Sequence, residues 1–273
     1  MYSVGFNRYG GTPPVVKNLI LINVVLLVAT WALNARFSYD LTEKLGLFYV
    51  GSPNFRPYQL ITHMFMHGGL THIFFNMFAL WMFGKILENV WGSKRFFFYY
   101  MVTGLGAAAL HLFVMYLQIS HVETVIRAFA NSPSPELFAS IVKKHFDFAQ
   151  AASAGLTDSW SVDPTNSAYA AQAMQALREY FTYLVNIPTV GASGAVYGVL
   201  LAFGMLFPNT ELMLLFPPIP IKAKWIVIGY GSLELYLGIT QPGSNIAHFA
   251  HLGGMLFGFI LIKYWNTKRT DFF

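Results

Sequence analysis

Apolar residues in this chain run in long stretches, interrupted only at their ends by charges, glycines and prolines. Six such stretches stand out, at roughly 16–35, 61–88, 96–118, 192–207, 220–240 and 244–264. A helix needs about 20 mostly apolar residues to cross the hydrocarbon of a bilayer. All six qualify or nearly do; the fourth is short and closes at Pro208-Asn209. The pattern predicts an all-α, polytopic membrane protein with a six-helix transmembrane bundle.

Between the third and fourth stretches the pattern changes. Residues 119–188 are longer than an ordinary loop in a compact domain. Leu137, Ile141, Val142, His145 and Phe146 have amphipathic helix spacing after a Ser134-Pro135 start signal. Asn166 or Ser167 can cap a second helix carrying Tyr169, Met174, Leu177 and Phe181. The polar stretch 153–167 has no assigned element. The expected organisation is therefore a short cytoplasmic N-terminal segment (1–15), core helices 1–3 (16–118), an outside-facing helical insertion (119–188), core helices 4–6 (189–267) and a tail (268–273). Pro53 and Pro57 break helix in the first outside loop, 37–60.

Composition sharpens the membrane reading. Charged residues make up 11% of the chain, against roughly 25% in ordinary soluble domains. There is no cysteine, which excludes a disulfide framework, a thiolate nucleophile and Cys-ligated metals. Residues 1–15 lack the features of a cleavable signal peptide, so the first apolar run is expected to stay as a span. The net charge of +5 does not point to nucleic acid, because Lys and Arg lie scattered near span ends. Positive-inside sorting of Arg8, Lys17, Lys85, Lys94, Arg95, Lys222, Lys224, Lys263, Lys268 and Arg269 puts both termini in the cytoplasm.

Polar groups inside spans are functional candidates, because hydrocarbon penalises them. Ser193 opens helix 4 within Gly191-Ala192-Ser193-Gly194, and His251 is expected about two turns into helix 6. His72 and Asn76, at i and i+4, share one face of helix 2. In the topology above, helices 2, 4 and 6 run the same way and carry these groups at similar depth. A serine hydroxyl needs a base to become a nucleophile, and His251 can serve. The developing oxyanion needs donors, available from the first N–H groups of helix 4 and from His72 and Asn76. Tyr197, one turn after Ser193, can stack on His251. Gly194 and Gly198 on helix 4, with Gly254 and Gly258 on helix 6, allow close helix approach. No Asp lies in any span, so a Ser–His dyad is expected rather than a triad.

Other roles compete for these residues. Ser193 can simply cap its helix, and His248 can compete with His251 as base. His63 and His67 read as structural residues of helix 2 bonding loop carbonyls, with catalysis as the alternative. Glu88 reads as an acceptor for a loop, whereas Glu234 in helix 5 is an ionisable residue facing water or the helix 2 side.

The sequence resembles the rhomboid family of intramembrane serine proteases, of the bacterial six-helix type. The resemblance rests on Gly191-Ala192-Ser193-Gly194-Ala195-Val196-Tyr197-Gly198, on Ala250-His251-Leu252-Gly253-Gly254 with Gly258, and on His63-Met64-Phe65-Met66-His67 followed by His72-Ile73-Phe74-Phe75-Asn76. It implies Ser193 as nucleophile, His251 as base, His72 and Asn76 as oxyanion contributors, Gly191 lining the substrate site and Tyr197 packing on His251. It further implies transmembrane protein substrates met in the bilayer, no cofactor and no metal, and a multi-pass location in a bacterial inner membrane. Oligomeric state is left open. Tyr58-Gln59 stands where the family often has Trp-Arg, which bears on the anchoring of the first loop. The alternatives are a catalytically inactive rhomboid-like client-binding protein, a transporter, and a metal-dependent protease using some of His63, His67, His72, His248 and His251. No H-E-x-x-H is present to support the last.

Overall fold

A computed structural model describes residues 11–213, 218–241 and 247–267. Arg8, Lys268 and Arg269, used above for sorting, lie outside the described residues, as do the tail 268–273 and residues 244–246 of the sixth apolar stretch.

The first helix, α1 (Pro14–Phe37), opens with proline at its first position and closes at Ser38, which adopts a left-handed conformation. The loop after α1 contains two single-turn helices, α2 (Thr42–Leu45) and α3 (Gln59–Thr62), and then a 3₁₀ turn over His63–Phe65. The second core helix, α4 (Leu70–Trp91), starts at Leu70 rather than at 61, because Gly68-Gly69 interrupt it. His63 and His67 therefore precede this helix instead of sharing its face. A π-turn at Leu80–Gly84 lies within α4. At its end, the Glu88 carboxylate accepts from Val15 N (3.0 Å), Val16 N (2.8 Å) and Ser93 Oγ (2.6 Å). Glu88 thus satisfies the orphan N–H groups at the start of α1, a helix end where a loop was expected.

The third core helix does not stop near 118. α5 (Ser93–Asn131) is one 39-residue helix that leaves the core and enters the inserted segment. There it packs with α6 (Pro135–His145), α7 (Gln150–Val162) and α8 (Ser167–Val185). The Ser134 hydroxyl caps α6, accepting from Leu137 N, and the Asn166 side chain caps α8, accepting from Ala168 N. The polar stretch 153–167 proves largely helical: α7 buries Trp160 and ties Ser153 Oγ to Tyr180 Oη at 2.9 Å. Phe129, Phe138, Ile141, Phe146, Trp160, Ala173 and Leu177 form a core of their own, separate from that of the bundle.

The remaining elements are α9 (Ser193–Leu206), a two-stranded antiparallel hairpin of β1 (Glu211–Met213) and β2 (Pro220–Lys222), α10 (Ala223–Thr240) and α11 (His248–Thr267). The bundle core gathers Leu80, Phe83, Phe96, Tyr99, Val199 and Phe203 from α4, α5 and α9. Large apolar side chains cover the outside, including Val25 and Val28 on α1, Phe74 and Phe75 on α4, and Tyr236 and Ile239 on α10. That is the surface expected of helices in lipid. By length and composition α1, α4 and α5 can each cross a membrane, and α9 is apolar but shorter. The chain is an all-α polytopic membrane protein.

Candidate active site

The site forms where the first turns of α4, α9 and α11 meet. The segment leading into α9 is held from three sides. Leu47 and Thr189 exchange backbone hydrogen bonds of 2.9 and 2.8 Å, so the first loop supports the approach to Ser193. The His111 ring, from α5, meets Thr189 Oγ1 at 2.8 Å. Gly191 N donates to the carbonyl of His63 at 2.9 Å, and His63 Nδ1 bonds the carbonyl of Gln59 at 2.8 Å. Gly191 has φ +131°, and a Cβ there would lie 2.9 Å from the His72 ring. Only glycine fits this turn.

Gln59 anchors the first loop despite its departure from Trp-Arg. Its Nε2 donates to the carbonyls of Lys44 and Asn54, and its Oε1 accepts from Arg56 N at 2.9 Å.

Glycines set the helix spacing. A Cβ on Gly254 would overlap the carbonyl oxygen of Gly194, so α9 and α11 touch backbone to backbone there. Gly258 and Gly198 do not meet each other. Gly258 faces the Tyr99 hydroxyl on α5, and that hydroxyl donates to the Gly198 carbonyl at 2.8 Å. The expected role of Gly258 as a direct spacer between α9 and α11 therefore belongs to Gly254.

This packing brings Ser193 Oγ within 2.8 Å of His251 Nε2. His251 lies in the first turn of α11 as described, not two turns in. The Tyr197 ring lies flat on the imidazole, with centroids 4.2 Å apart and planes 6° apart. His72 Nδ1 faces Gly68 N at 3.4 Å, which leaves the proton on Nε2, the edge turned towards Gly191 and Ser193. Asn76 is buried, and its Nδ2 donates to the His72 carbonyl at 3.0 Å. His67 does not bond a loop carbonyl. Its ring packs edge-on against His72, 4.9 Å between centroids, and neither ring nitrogen has a partner among the described residues. A cavity of about 20 Å³, the size of one water, opens beside Ser193 against Met64, Ala107, Gly191 and Ala250. A larger one of about 410 Å³ lies in the insertion, between α5 and α8, away from these groups.

Glu234 adds an acidic neighbour to the serine and histidine, where the sequence pointed to the two alone. It is buried on α10 and faces α9 and α11 rather than water or helix 2. Its Oε1 accepts from Tyr197 Oη at 2.5 Å. Its Oε2 lies 2.6 Å from His248 Nδ1 and 3.0 Å from His251 Nδ1, the latter at ion-pair distance without hydrogen-bond alignment. The sequence signal was the lone carboxylate in an apolar span, which needs partners. Glu234, His248 and His251 are also grouped closely enough to suggest a metal. A tetrahedral site with bonds of about 2.0–2.1 Å has ligand edges of roughly 3.3 Å, whereas the 2.6 Å contact is that of a hydrogen bond. His63, His67 and His72 are not in that group.

Comparison with known proteins identifies the family. The family model for the Rhomboid domain matches residues 54–122 and 152–266, about two thirds of the chain; the second block begins inside the expected insertion. Rhomboid protein 1, mitochondrial, of Saccharomyces cerevisiae is 24% identical over 212 residues, covering 78% of this chain and 42% of its own. RHOMBOID-like protein 12, mitochondrial, of Arabidopsis thaliana is 26% identical over 245 residues, covering 88% and 55%. Rhomboid protease GluP of Bacillus subtilis is 37% identical over 60 residues, covering 22% and 12%. The chain thus spans about half the length of the first two of these relatives.

Proposed function

Because this chain belongs to the rhomboid family, we propose that it is an intramembrane serine endopeptidase cutting peptide bonds in or near the transmembrane segments of membrane proteins. The observation that carries the reading is the 2.8 Å contact between Ser193 Oγ and His251 Nε2 at adjoining helix starts. Nε2 takes the hydroxyl proton as Oγ attacks the scissile carbonyl. The oxyanion forms beside the first N–H groups of α9, which a helix leaves without partners of its own, and the Nε2–H of His72, with the second amide hydrogen of Asn76 in reserve. Collapse expels the amine, which receives the proton from His251, and leaves an ester on Ser193. Water, giving a proton to His251, then hydrolyses that ester.

The stacked Tyr197 ring and the Gly191 turn keep base and nucleophile in one geometry, so little reorganisation precedes attack. Substrates reach Ser193 from the lipid, and the chemistry uses no cofactor. We place the protein in a bacterial inner membrane with both termini cytoplasmic; the names of the yeast and Arabidopsis relatives make a mitochondrial membrane the competing location.

Detergent-purified protein should label with a fluorescent fluorophosphonate and cleave a transmembrane reporter, and Ser193→Ala should do neither. Residual cleavage above roughly one per cent in Ser193→Ala would remove Ser193 as nucleophile, since losing a nucleophile costs far more than that. His251→Ala should also abolish cleavage, with no further loss in the double variant.

A further inference from the structure

We propose that Glu234 is the third member of the catalytic group, a positioning carboxylate delivered by α10 that holds His251 through Nδ1. The inference rests on the reading of Ser193 and His251 as nucleophile and base. When Nε2 accepts from Ser193, the neutral ring must carry its proton on Nδ1. Glu234 Oε2, 3.0 Å from that nitrogen, is the acceptor placed to receive it. A modest rotation of the carboxylate, with the stacked His251 ring left in place, completes the alignment. As Ser193 loses its proton, the imidazolium that forms faces a fixed negative charge instead of hydrocarbon. Glu234 stays ionised throughout, and the proton moves only between Oγ, Nε2 and the leaving amine.

The surroundings of the carboxylate favour this over a merely structural ion pair. A buried charge is costly unless it is hydrogen-bonded on every side, and Glu234 is only 6% exposed. Its oxygens meet three groups, and all of them belong to the site. Oε1 is held by Tyr197, whose ring covers His251. Oε2 is shared by His251 and by His248, one turn away on the same helix. The same bonds tie α10 to α9 and α11, so the network orients the base and also links three helices of the bundle. It also makes α10 part of the chemistry as well as part of the wall.

The test uses the full chain in detergent micelles and Glu234→Gln, which keeps the shape and removes the charge. Loss of the equivalent acid elsewhere costs about 10⁴ in kcat through the wrong tautomer, so a fall of roughly 10²–10⁴ in the fluorophosphonate labelling rate and in kcat is expected, with KM changed less than about threefold. Some loss of melting temperature accompanies the broken bonds to Tyr197 and His248, so the rate is read on the folded fraction. A purely structural role would lower the melting temperature and leave the labelling rate of the folded fraction intact. A folded Glu234→Gln protein labelled at the unsubstituted rate overturns the proposal. Should Glu234→Gln not fold, Tyr197→Phe serves: it keeps the ring over His251 and removes only the hydroxyl on Oε1. Labelling should then slow by about tenfold, and an unchanged rate likewise overturns the proposal. If the unsubstituted protein takes no label, the Ser193 reading itself fails and takes this inference with it.

Discussion

Asn76 spends one amide hydrogen on the His72 carbonyl, 3.0 Å away on the preceding turn, and so enters the reaction already oriented. The hydrogen that remains is the one available to an oxyanion. Removing one preorganised donor typically costs about 10²–10³ in kcat. Asn76→Ala should therefore lower kcat by that order and change KM little, as read from steady-state cleavage of a transmembrane reporter. A change confined to KM would make Asn76 a substrate-positioning group. Ser193, His251, His72 and Tyr197 were legible in the sequence because each is a polar or aromatic residue at a helical spacing whose chemistry demands a partner. Glu234 was visible but unassigned. One carboxylate in a span announces that it needs partners without saying on which neighbouring helix they lie. His67 was misread for the opposite reason: His63 and His67 look like one helix face until Gly68-Gly69 delay the start of α4.

Among elements, the pairing of α9 with α11 is the most demanding. At Gly254 an added methyl meets a backbone carbonyl, which cannot rotate away, whereas at Gly258 it meets the end of the Tyr99 side chain. Overpacking of this kind costs about 1–3 kcal/mol and separates the helices. Gly254→Ala should lower the melting temperature and abolish fluorophosphonate labelling, because a small separation breaks the Ser193–His251 contact. Gly258→Ala should disturb the Tyr99–Gly198 bond and retain labelling. The reverse order of severity would show that α5, not the α9–α11 contact, sets the distance between serine and histidine. The bundle helices were readable because membrane spans leave a compositional mark. α7 was not, because Gln150-Ala151-Ala152-Ser153-Ala154-Gly155 lacks an apolar stripe and its place depends on Trp160 and on Tyr180 of a later helix. The continuation of α5 past 118 was also hidden, since Gln118-Ile119-Ser120-His121 reads as the end of a span although its backbone stays helical.

At the scale of the whole molecule, two cores share one helix. The bundle core and the core of the inserted segment (here the cap) both use α5 but hold separate sets of buried side chains. Replacing residues 125–180 with a flexible Gly/Ser linker should therefore leave Ser193 reactive to fluorophosphonate, while cleavage of some membrane substrates falls. A well-folded deletion protein that takes no label would show that the cap shapes the active site. At about 1.5 Å per residue the 39 residues of α5 extend roughly 58 Å, close to twice the hydrocarbon thickness of a bilayer. In the topology expected from the sequence, nearly half of the helix would stand clear of the lipid as a stiff post with the inserted segment fixed to it. A post of set length is also a gauge. Any part of a substrate that rests on the cap while its bond lies at Ser193 must do so a set number of residues along its own chain. Cleavage would then be measured out from that resting point as much as chosen by the residues flanking the bond.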